Sequence, residues 1–297
     1  MQDARTEKHL RIGITYNSIA DLPPQSKGHC KDAAERYSLA AAAGYEGIQG
    51  GDPWLCSEYG LALIGCGVVP TAEDADPFVE RWRALDAVSA SCIAGYGYES
   101  DAEMDDLVES ILSASVRCGL PVFIETHRAS ITQDAWRTEQ LTRRIPEVRF
   151  NGDFSHWFTG QEMPYGDFEV RLERLSPVMD RIRFLHGRIG SRCCMQIEIG
   201  DGAGESSVPY FRRMWSRAMR GFLDAEDSGC DLWFCPELLG REYQYAHVNR
   251  RAGGNDVEQS DRWTESQILV RLAKECFLEQ LRSLNSIPIT PDASKFL

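Results

Sequence analysis

The most informative pattern in the sequence is a set of short, nearly continuous apolar runs. Strands that are covered on both faces of a parallel sheet show continuous hydrophobicity, whereas half-exposed strands alternate apolar and polar residues. The pattern therefore predicts eight buried parallel strands. The runs are Ile12–Tyr16, Gly47–Gln49, Leu61–Val68, Ser91–Tyr96, Val122–Glu125, Val148–Asp153, Ile182–His186 and Leu232–Cys235.

Between these runs, the apolar positions follow the period of a helix. A helix is predicted over residues 101–118, where apolar side chains recur three and four positions apart. Another helix is predicted to follow a turn at Pro77, and a C-terminal helix is expected from about 260 to 284. The chain thus alternates strands with helices along its whole length.

A recurring junction of helix, glycine and strand indicates short loops between these elements. Gly44, Gly119 and Gly229 each follow a helical segment and precede an apolar run. A glycine in the left-handed conformation is a common way to end a helix. Eight such units in about 250–300 residues predict a single (β/α)8 barrel. A doubly wound sheet is the alternative, but it usually has fewer strands, and no Gly-rich phosphate-binding turn is present.

The predicted domain organisation is one barrel over residues 1–297. It has a polar N-terminal tail at 1–9 and a C-terminal tail at 285–297. We expect an extended loop after strand seven and a long segment after strand eight. Residues 241–251 of that segment carry several aromatic and arginine side chains and suggest a lid over the mouth of the barrel, or an oligomer contact.

Composition and charge narrow the class of protein. The 45 acidic residues exceed the 32 basic ones, which gives a net charge of −13 and disfavours nucleic acid as a partner. No run has the roughly 18–20 apolar residues of a membrane span, and the first residues lack the apolar core of a signal peptide. The ten cysteines contain no C-x-x-C pair and are interpreted as free thiols. We therefore expect a cytoplasmic protein, with a homo-oligomer left open.

Four consecutive strands end in a residue that can bind a metal ion. These residues are Glu125, Asp153, His186 and Glu237, which are 28, 33 and 51 residues apart. The carboxyl ends of barrel strands converge on one mouth, where active sites lie. Three carboxylates and one imidazole that face a common point would repel one another without a cation. This ligand set suits Mn²⁺ best, with Mg²⁺, Co²⁺ or Zn²⁺ as alternatives.

Each of these residues also has an ordinary structural interpretation. An acidic residue after a strand is often a turn former or the N-cap of the next helix. A single histidine at a strand end is more often structural than a ligand. Four such residues at the ends of four consecutive strands are better explained by a metal site.

The local sequences around these residues resemble the xylose isomerase-like TIM-barrel superfamily. The resemblance rests on E-T-H-R at 125–128, D-F-S-H-W at 153–157, H-G-R at 186–188 and P-E-L-L at 236–239. It covers about residues 10–280. This superfamily includes sugar isomerases, ketose epimerases, inosose dehydratases and apurinic endonucleases.

The resemblance implies roles for particular residues. In the epimerase branch, the matching Glu, Asp, His and Glu bind one divalent metal ion, which gives Glu125, Asp153, His186 and Glu237 here. The histidine of the D-x-x-H motif and the arginine after the strand-seven histidine contact substrate oxygens in that branch. This implies substrate contacts for His156 and Arg188. His156 is also a candidate catalytic residue, since His156 or Arg188 would stabilise the developing oxyanion.

Three further residues are weaker candidates for substrate contact. His127 and Arg128 directly follow Glu125 and can reach the mouth, although helix capping is an equally good interpretation. Gln196 lies in the loop after strand seven, where a solvated loop position is the alternative. Trp54 and Trp157 are interpreted as packing residues rather than sugar-stacking ones.

The sequence favours a metal-dependent isomerase or epimerase of a sugar-like polyhydroxy carbonyl compound. Moving a proton next to a carbonyl needs a Lewis acid and carboxylates, for which Glu125 and Glu237 are the candidate bases. A lyase or dehydratase on a related inosose-like or glycoside substrate shares this first step. An apurinic-endonuclease-like phosphodiesterase is less favoured, because that chemistry needs more histidine ligands and a basic rim. A non-catalytic sugar-binding or scaffold protein is disfavoured, since all four strand-end ligands are present.

Overall fold

Eight parallel strands form a closed barrel in which each strand pairs with its sequence neighbours and β8 pairs with β1. The computed structural model describes residues 8–226, 231–249 and 257–285. The predicted barrel is confirmed. Its strands are β1 Leu10–Thr15, β2 Gly47–Gln49, β3 Ala62–Val69, β4 Ser89–Ala94, β5 Val122–Glu125, β6 Phe150–Gly152, β7 Ile182–Gly187 and β8 Leu232–Pro236.

Helices lie between successive strands and cover the outside of the barrel. They are α1 Tyr16–Ala20, α2 Ala33–Ala42, α3 Pro53–Glu58, α4 Ala75–Ala84, α5 Asp101–Cys118, α6 Ala135–Arg144, α7 Phe154–Gly160, α8 Phe168–Arg174, α9 Ser176–Met179, α10 Val208–Asp224 and α11 Arg262–Asn285. No helix in the described part of the chain is both long and apolar enough to cross a lipid bilayer.

The helix predictions were accurate where the apolar stripe is regular. Helix α5 has the predicted bounds, because Ser100 and Glu103 form a capping box at its start and Gly119, with φ +62°, ends it. The prediction of a turn at Pro77 was wrong. Pro77 lies in the first turn of α4, where the absence of a backbone N–H costs nothing. Gly229 lies outside the described residues.

Some strand bounds shift by one or two residues from the predicted runs. The run predicted to end at Tyr96 stops at Ala94, because Gly95 has φ +64° and turns the chain. The run predicted to end at Asp153 stops at Gly152, since Asp153 is the N-cap of α7. These small shifts leave the order and direction of the strands unchanged.

The lower half of the barrel interior is filled by apolar side chains. They form a separate core cluster inside the strands, distinct from the larger core between strands and helices. The barrel is therefore a packed core at this level and not a channel. The buried members of the cluster are Ile64, Phe123, Phe184, Trp233 and Cys235.

The expected long connections follow β7 and β8. The chain from 188 to 207 joins β7 to α10 without helix or strand. After β8 come a short 3₁₀ turn at Arg241–Tyr243 and a two-residue antiparallel ladder between β9, Val248–Asn249, and β10, Val257–Glu258. Residues 250–256 lie outside the described residues, and the first two of them, 250 and 251, are the end of the predicted lid. The nine described cysteines are free thiols, and Cys230 lies outside the described part.

Candidate metal centre

The side chains at the mouth are placed there by the two-residue period of the strands. In a barrel strand, residues i and i+2 point into the interior one above the other. Phe123 is followed by Glu125 on β5, Phe184 by His186 on β7, and Cys235 by Glu237 at the end of β8. A polar layer at the mouth therefore stands directly above the apolar layer.

The structure brings the four predicted ligands together. One ligand atom each from Glu125, Asp153, His186 and Glu237 lie within 4.8 Å of one another. His186 Nδ1 is 3.3 Å from Glu237 Oε2, 3.6 Å from Glu125 Oε2 and 3.9 Å from Asp153 Oδ2. This cluster is a candidate metal site with one nitrogen and three oxygen ligands.

Asp153 combines the two roles that the sequence left as alternatives. Its Oδ1 accepts hydrogen bonds from the backbone N–H and the hydroxyl of Ser155, which makes it the N-cap of α7. Its Oδ2 is fully buried, has no hydrogen-bond partner and faces His186. The capping bonds fix the carboxylate so that one oxygen stays directed at the cluster.

Gln49, a residue that sequence reasoning missed, orients the ring of His186. The Gln49 amide nitrogen donates to the hydroxyl of Ser91 at 2.8 Å, which leaves its Oε1 facing His186 Nε2 at 2.8 Å. In the neutral imidazole the proton therefore belongs on Nε2, and the lone pair of Nδ1 faces the carboxylates. A metal-binding histidine commonly has such an outer hydrogen bond.

Burial and neighbouring charges shift the ionisation of the cluster. Burial, together with the nearby charge of Asp153, raises the pKa of Glu125 to about 8. Burial acts to raise the pKa of Asp153 as well, but Arg188 and the neighbouring histidines lower it to about 2. Burial lowers the pKa of His186 to about 3, so the imidazole is neutral and can serve as a ligand.

Arg188 lies inside the cluster. Its Nη2 is 3.0 Å from Asp153 Oδ2 and also donates a short hydrogen bond to Glu237 Oε2. The side chain is 2% exposed, and its guanidinium carbon lies 4.8 Å from the centre of the Tyr245 ring. Arg188 therefore supplies a buried positive charge to the carboxylates of the candidate metal site.

His127 and His156 stand beside the cluster with their ring centres 4.1 Å apart. His127 Nδ1 accepts a hydrogen bond from the backbone N–H of Ala129, so the neutral ring carries its proton on Nε2. Burial lowers the pKa of His127 to about 4 and that of His156 to about 2, which keeps both rings uncharged. His127 faces the cavity, whereas the cap of α6 is Asp134.

A second grouping of ligand atoms consists of Glu125, His127 and His156, whose atoms also lie within 4.8 Å of one another. The proton on Nε2 of His127 makes that nitrogen a donor and removes it as a metal ligand. The cluster that includes Asp153 and His186 is the better candidate, because it offers a correctly oriented Nδ1 and three carboxylates.

A cavity of about 260 Å³ opens onto the cluster. Its polar base includes Glu125, Glu237, His127, His156 and Arg188. Its wall is more apolar, with lining residues Tyr16, Val68, Ile93, Leu239 and Tyr245. Tyr245 belongs to the segment predicted as a lid, so the described part of that segment does reach the site.

Two of the weaker candidates for substrate contact, and both of the tryptophans, lie away from the cavity lining. Both ends of the Gln196 amide bind the backbone of Leu239, at 2.8 and 3.0 Å, so this residue fixes the chain just after β8 instead of lining the cavity. Arg128 is exposed. Trp157 is buried and donates to the carbonyl of Thr132, and Trp54 is exposed. The packing interpretation of Trp157 is confirmed.

Unsatisfied polar atoms are concentrated in this site. The described residues contain ten buried side-chain nitrogen or oxygen atoms without a hydrogen-bond partner, and six of them belong to Asn151, Asp153, His156 and Arg188. Buried polar groups are normally paired, because an unpaired one costs about 1–3 kcal/mol. The concentration indicates groups that are held ready for a ligand.

Comparisons with known proteins find solved structures with a similar fold. No protein-family model and no curated protein matches the chain. A xylose isomerase-like TIM-barrel protein from Mycobacterium smegmatis in complex with magnesium is similar at 10% identity, with 92% of this chain and 97% of that chain covered and a TM-score of 0.55. A sugar phosphate isomerase/epimerase from Parabacteroides distasonis is similar at 12% identity over 94% and 97% of the two chains, also with a TM-score of 0.55.

The probable 3-DHS dehydratase AsbF from Bacillus anthracis is similar at 15% identity, with 80% of this chain and 94% of that chain covered and a TM-score of 0.52. Likenesses at 10–15% identity establish architecture, and they leave activity to be argued from the site. The resemblance predicted from the strand-end motifs is thereby confirmed at the level of the fold: this chain is a (β/α)8 barrel, as these similar proteins are.

Proposed function

We propose that this protein is a divalent-metal-dependent isomerase or epimerase of a sugar-like polyhydroxy carbonyl compound. The observation that carries the proposal is the convergence of Glu125, Asp153, His186 and Glu237 at the mouth of the barrel, beside a cavity of sugar size. Catalytic residues of TIM barrels come from the ends of several strands at this face.

The residues fit a divalent cation. Asp153 Oδ2 is buried without a hydrogen-bond partner, and His186 presents Nδ1 to three carboxylates. An oxygen-rich set with one imidazole favours Mn²⁺, with Mg²⁺, Co²⁺ and Zn²⁺ as alternatives. When bound, such an ion supplies Lewis acidity that polarises a substrate carbonyl and stabilises the negative charge formed next to it.

The two glutamates are the proposed acid–base groups. Each directs its Oε2 toward His186, which leaves Oε1 for proton transfer. Glu237 is the more accessible of the two and lines the cavity together with Glu125. In an epimerase, one glutamate removes the proton next to the carbonyl, and the other, in its protonated form, delivers a proton to the opposite face of the same carbon. In an isomerase, the first glutamate returns the proton to the former carbonyl carbon, while a second proton moves from the hydroxyl oxygen to the carbonyl oxygen.

The histidines and the cavity wall complete the proposed chemistry. The Nε2–H of His127 donates a hydrogen bond to a substrate oxygen, and the unpaired ring of His156 contacts a hydroxyl. Neutral donors in a buried site stabilise developing negative charge more strongly than they would in water. Leu239 and Tyr245 limit the access of water to the reacting carbon.

A dehydratase is the second candidate function. Proton removal next to a carbonyl is also the first step of water elimination. The observation that favours this candidate is the His127 N–H beside two carboxylates in one cavity, since a nearby donor can assist a leaving hydroxyl. A small-molecule polyol substrate is common to both candidates. The cytoplasmic location and the oligomeric state stay predictions from the sequence.

The decisive experiment is incubation of the Mn²⁺-loaded protein in D₂O with separate aldoses, ketoses and inososes, followed by NMR. An isomerase or epimerase incorporates deuterium at a substrate carbon, whereas a dehydratase releases an unsaturated product. The Asp153→Asn variant should show neither signal, and Glu169→Gln, on the outer helix α8, should behave as wild type. Absence of exchange and of bound Mn²⁺ in the wild type would contradict the proposal.

A further inference from the structure

Arg188 contacts the same oxygen atoms that form the candidate metal site. Its Nη2 bridges Asp153 Oδ2 and Glu237 Oε2, and these two oxygens are among the atoms that face His186 Nδ1. A guanidinium and a divalent cation are both positively charged and repel each other at such short separations. Arg188 is therefore placed as a competitor for the site and not only as a neighbour of it.

The remaining contacts of Arg188 allow it to leave these oxygens. Its Nε and Nη1 are buried and have no hydrogen-bond partner, so the one hydrogen bond of its side chain within the described residues is the one that Nη2 donates to Glu237. The guanidinium also lies over the ring of Tyr245, which lines the cavity. This cation–π contact is made with Tyr245 and not with the carboxylates, so it is a second interaction that holds the guanidinium in the cavity.

We propose that Arg188 is the internal counter-ion of the metal site and that it must leave Asp153 and Glu237 before a divalent cation can bind them. The proposal rests on the metal site of the proposed function, and it adds that the affinity of the site is set by competition with a residue of the same chain. When a ligand binds only one of two conformational states, its apparent affinity is reduced in proportion to the fraction of the protein in that state.

The competition has a direct consequence for metal affinity. Hydrogen bonds between charged groups in a buried setting are among the strongest in proteins. Their loss on cation binding weakens the apparent affinity by on the order of ten- to a hundredfold. Once displaced, Arg188 has five donors near the cavity, which makes it available to a substrate oxygen.

The first test compares Mn²⁺ binding in wild type, Arg188→Met and Arg192→Met, each stripped of metal with a chelator. Methionine retains much of the stem of arginine but removes the charge and the donors. Arg192 is a matched control, because it lies on the same loop and its guanidinium stacks on Tyr165, outside the site. Titration should show at least tenfold tighter Mn²⁺ binding for Arg188→Met and a change below twofold for Arg192→Met.

A crystal structure of the Mn²⁺-loaded wild type distinguishes displacement of Arg188 from simple long-range repulsion between Arg188 and the ion. This test does not depend on the folding of any variant. The proposal requires that Nη2 has moved away from both Asp153 Oδ2 and Glu237 Oε2. If either contact persists with Mn²⁺ bound, or if Arg188→Met binds Mn²⁺ no more tightly than wild type, the proposal is overturned while the metal site stands. If neither protein binds Mn²⁺, the metal part of the proposed function fails as well.

Discussion

The two layers of side chains inside the barrel come from the same strands but have opposite chemical character. The lower layer, with Phe123, Phe184 and Trp233, is apolar and closely packed. The upper layer, two residues further along, contains Glu125 and His186 and most of the unsatisfied buried polar atoms. The comparison shows that a barrel can separate stability from chemistry within a single strand, by a step of only two residues.

The energetic reason for this separation is that the two layers have incompatible requirements. A packed apolar layer gains from the removal of water, at roughly 25 cal/mol per Å² of apolar surface. A cluster of three carboxylates and one imidazole costs free energy when buried, unless a cation compensates for its charge. The lower layer thus supports a site that is unfavourable by itself.

The strongest test of this comparison between the two layers is a variant that loses catalysis but keeps its fold. We expect Glu237→Gln to reduce the exchange of the substrate C–H proton with solvent by about 10²–10⁴-fold, because it removes a general base. Its melting temperature should stay close to that of wild type, since the side-chain oxygen of glutamine can still accept the hydrogen bond that Arg188 donates to Glu237. NMR exchange in D₂O and calorimetry measure the two effects. Wild-type exchange in this variant would remove Glu237 from the mechanism.

The complementary test is a variant that loses stability but keeps the candidate metal site. Phe123→Ala should lower the free energy of unfolding by about 3–5 kcal/mol, because it leaves a cavity in the lower layer. Its Mn²⁺ affinity at a temperature where it is folded should remain within about threefold of wild type. Leu278→Ala, at a half-exposed position of α11, is the matched control and should cost far less. A large change in Mn²⁺ affinity in Phe123→Ala would show that the layers are coupled.

Metal binding should stabilise the protein through the upper layer alone. At a free Mn²⁺ concentration of about 100 times Kd, the free energy of unfolding should rise by about 2.7 kcal/mol. Chelation with EDTA should reverse the effect, and Asp153→Asn should lack it. Thermal unfolding followed with and without Mn²⁺ provides the measurement. Equal stabilisation of Asp153→Asn would place the bound ion elsewhere.

The smallest expected effect concerns the residue that orients His186. Gln49→Leu removes the acceptor for Nε2–H, so the ring loses its fixed orientation. Mn²⁺ affinity should fall by about 10–100-fold, with little change in overall stability. Gln140→Leu, on the outer helix α6, is the control and should bind Mn²⁺ as wild type does. An unchanged affinity in Gln49→Leu would mean that packing alone orients the ring.

Much of this candidate site was predictable, because its candidate ligands lie in register with their strands. Glu125, His186 and Glu237 each follow an inward-facing apolar residue by two positions, so the period of the strand directs them into the mouth. Asp153 was ambiguous, since a helix cap and a ligand have the same local sequence. The structure shows that Asp153 caps the helix through Oδ1, while its Oδ2 faces His186 in the candidate metal site.

Other residues of the site were missed or misjudged because their roles depend on distant partners. Gln49 meets His186 across the barrel, 137 positions away in the chain. Gln196 was a candidate for substrate contact, yet its amide binds the backbone of Leu239. Nothing in the local sequence of either glutamine indicates its partner. Tyr245 and Arg188 likewise meet only when the segment after β8 folds over the mouth.

The strands, the helices between them and the chemical type of each strand end follow from the local amino-acid sequence. These features depend on residues a few positions apart, through periodicity and capping. The tertiary structure decided which groups meet, because only closure of the barrel brings Glu125 and Glu237 within 4.8 Å across more than a hundred residues of chain. It also decided that Arg188 binds the carboxylates, since that contact depends on the geometry of two loops and on no local pattern.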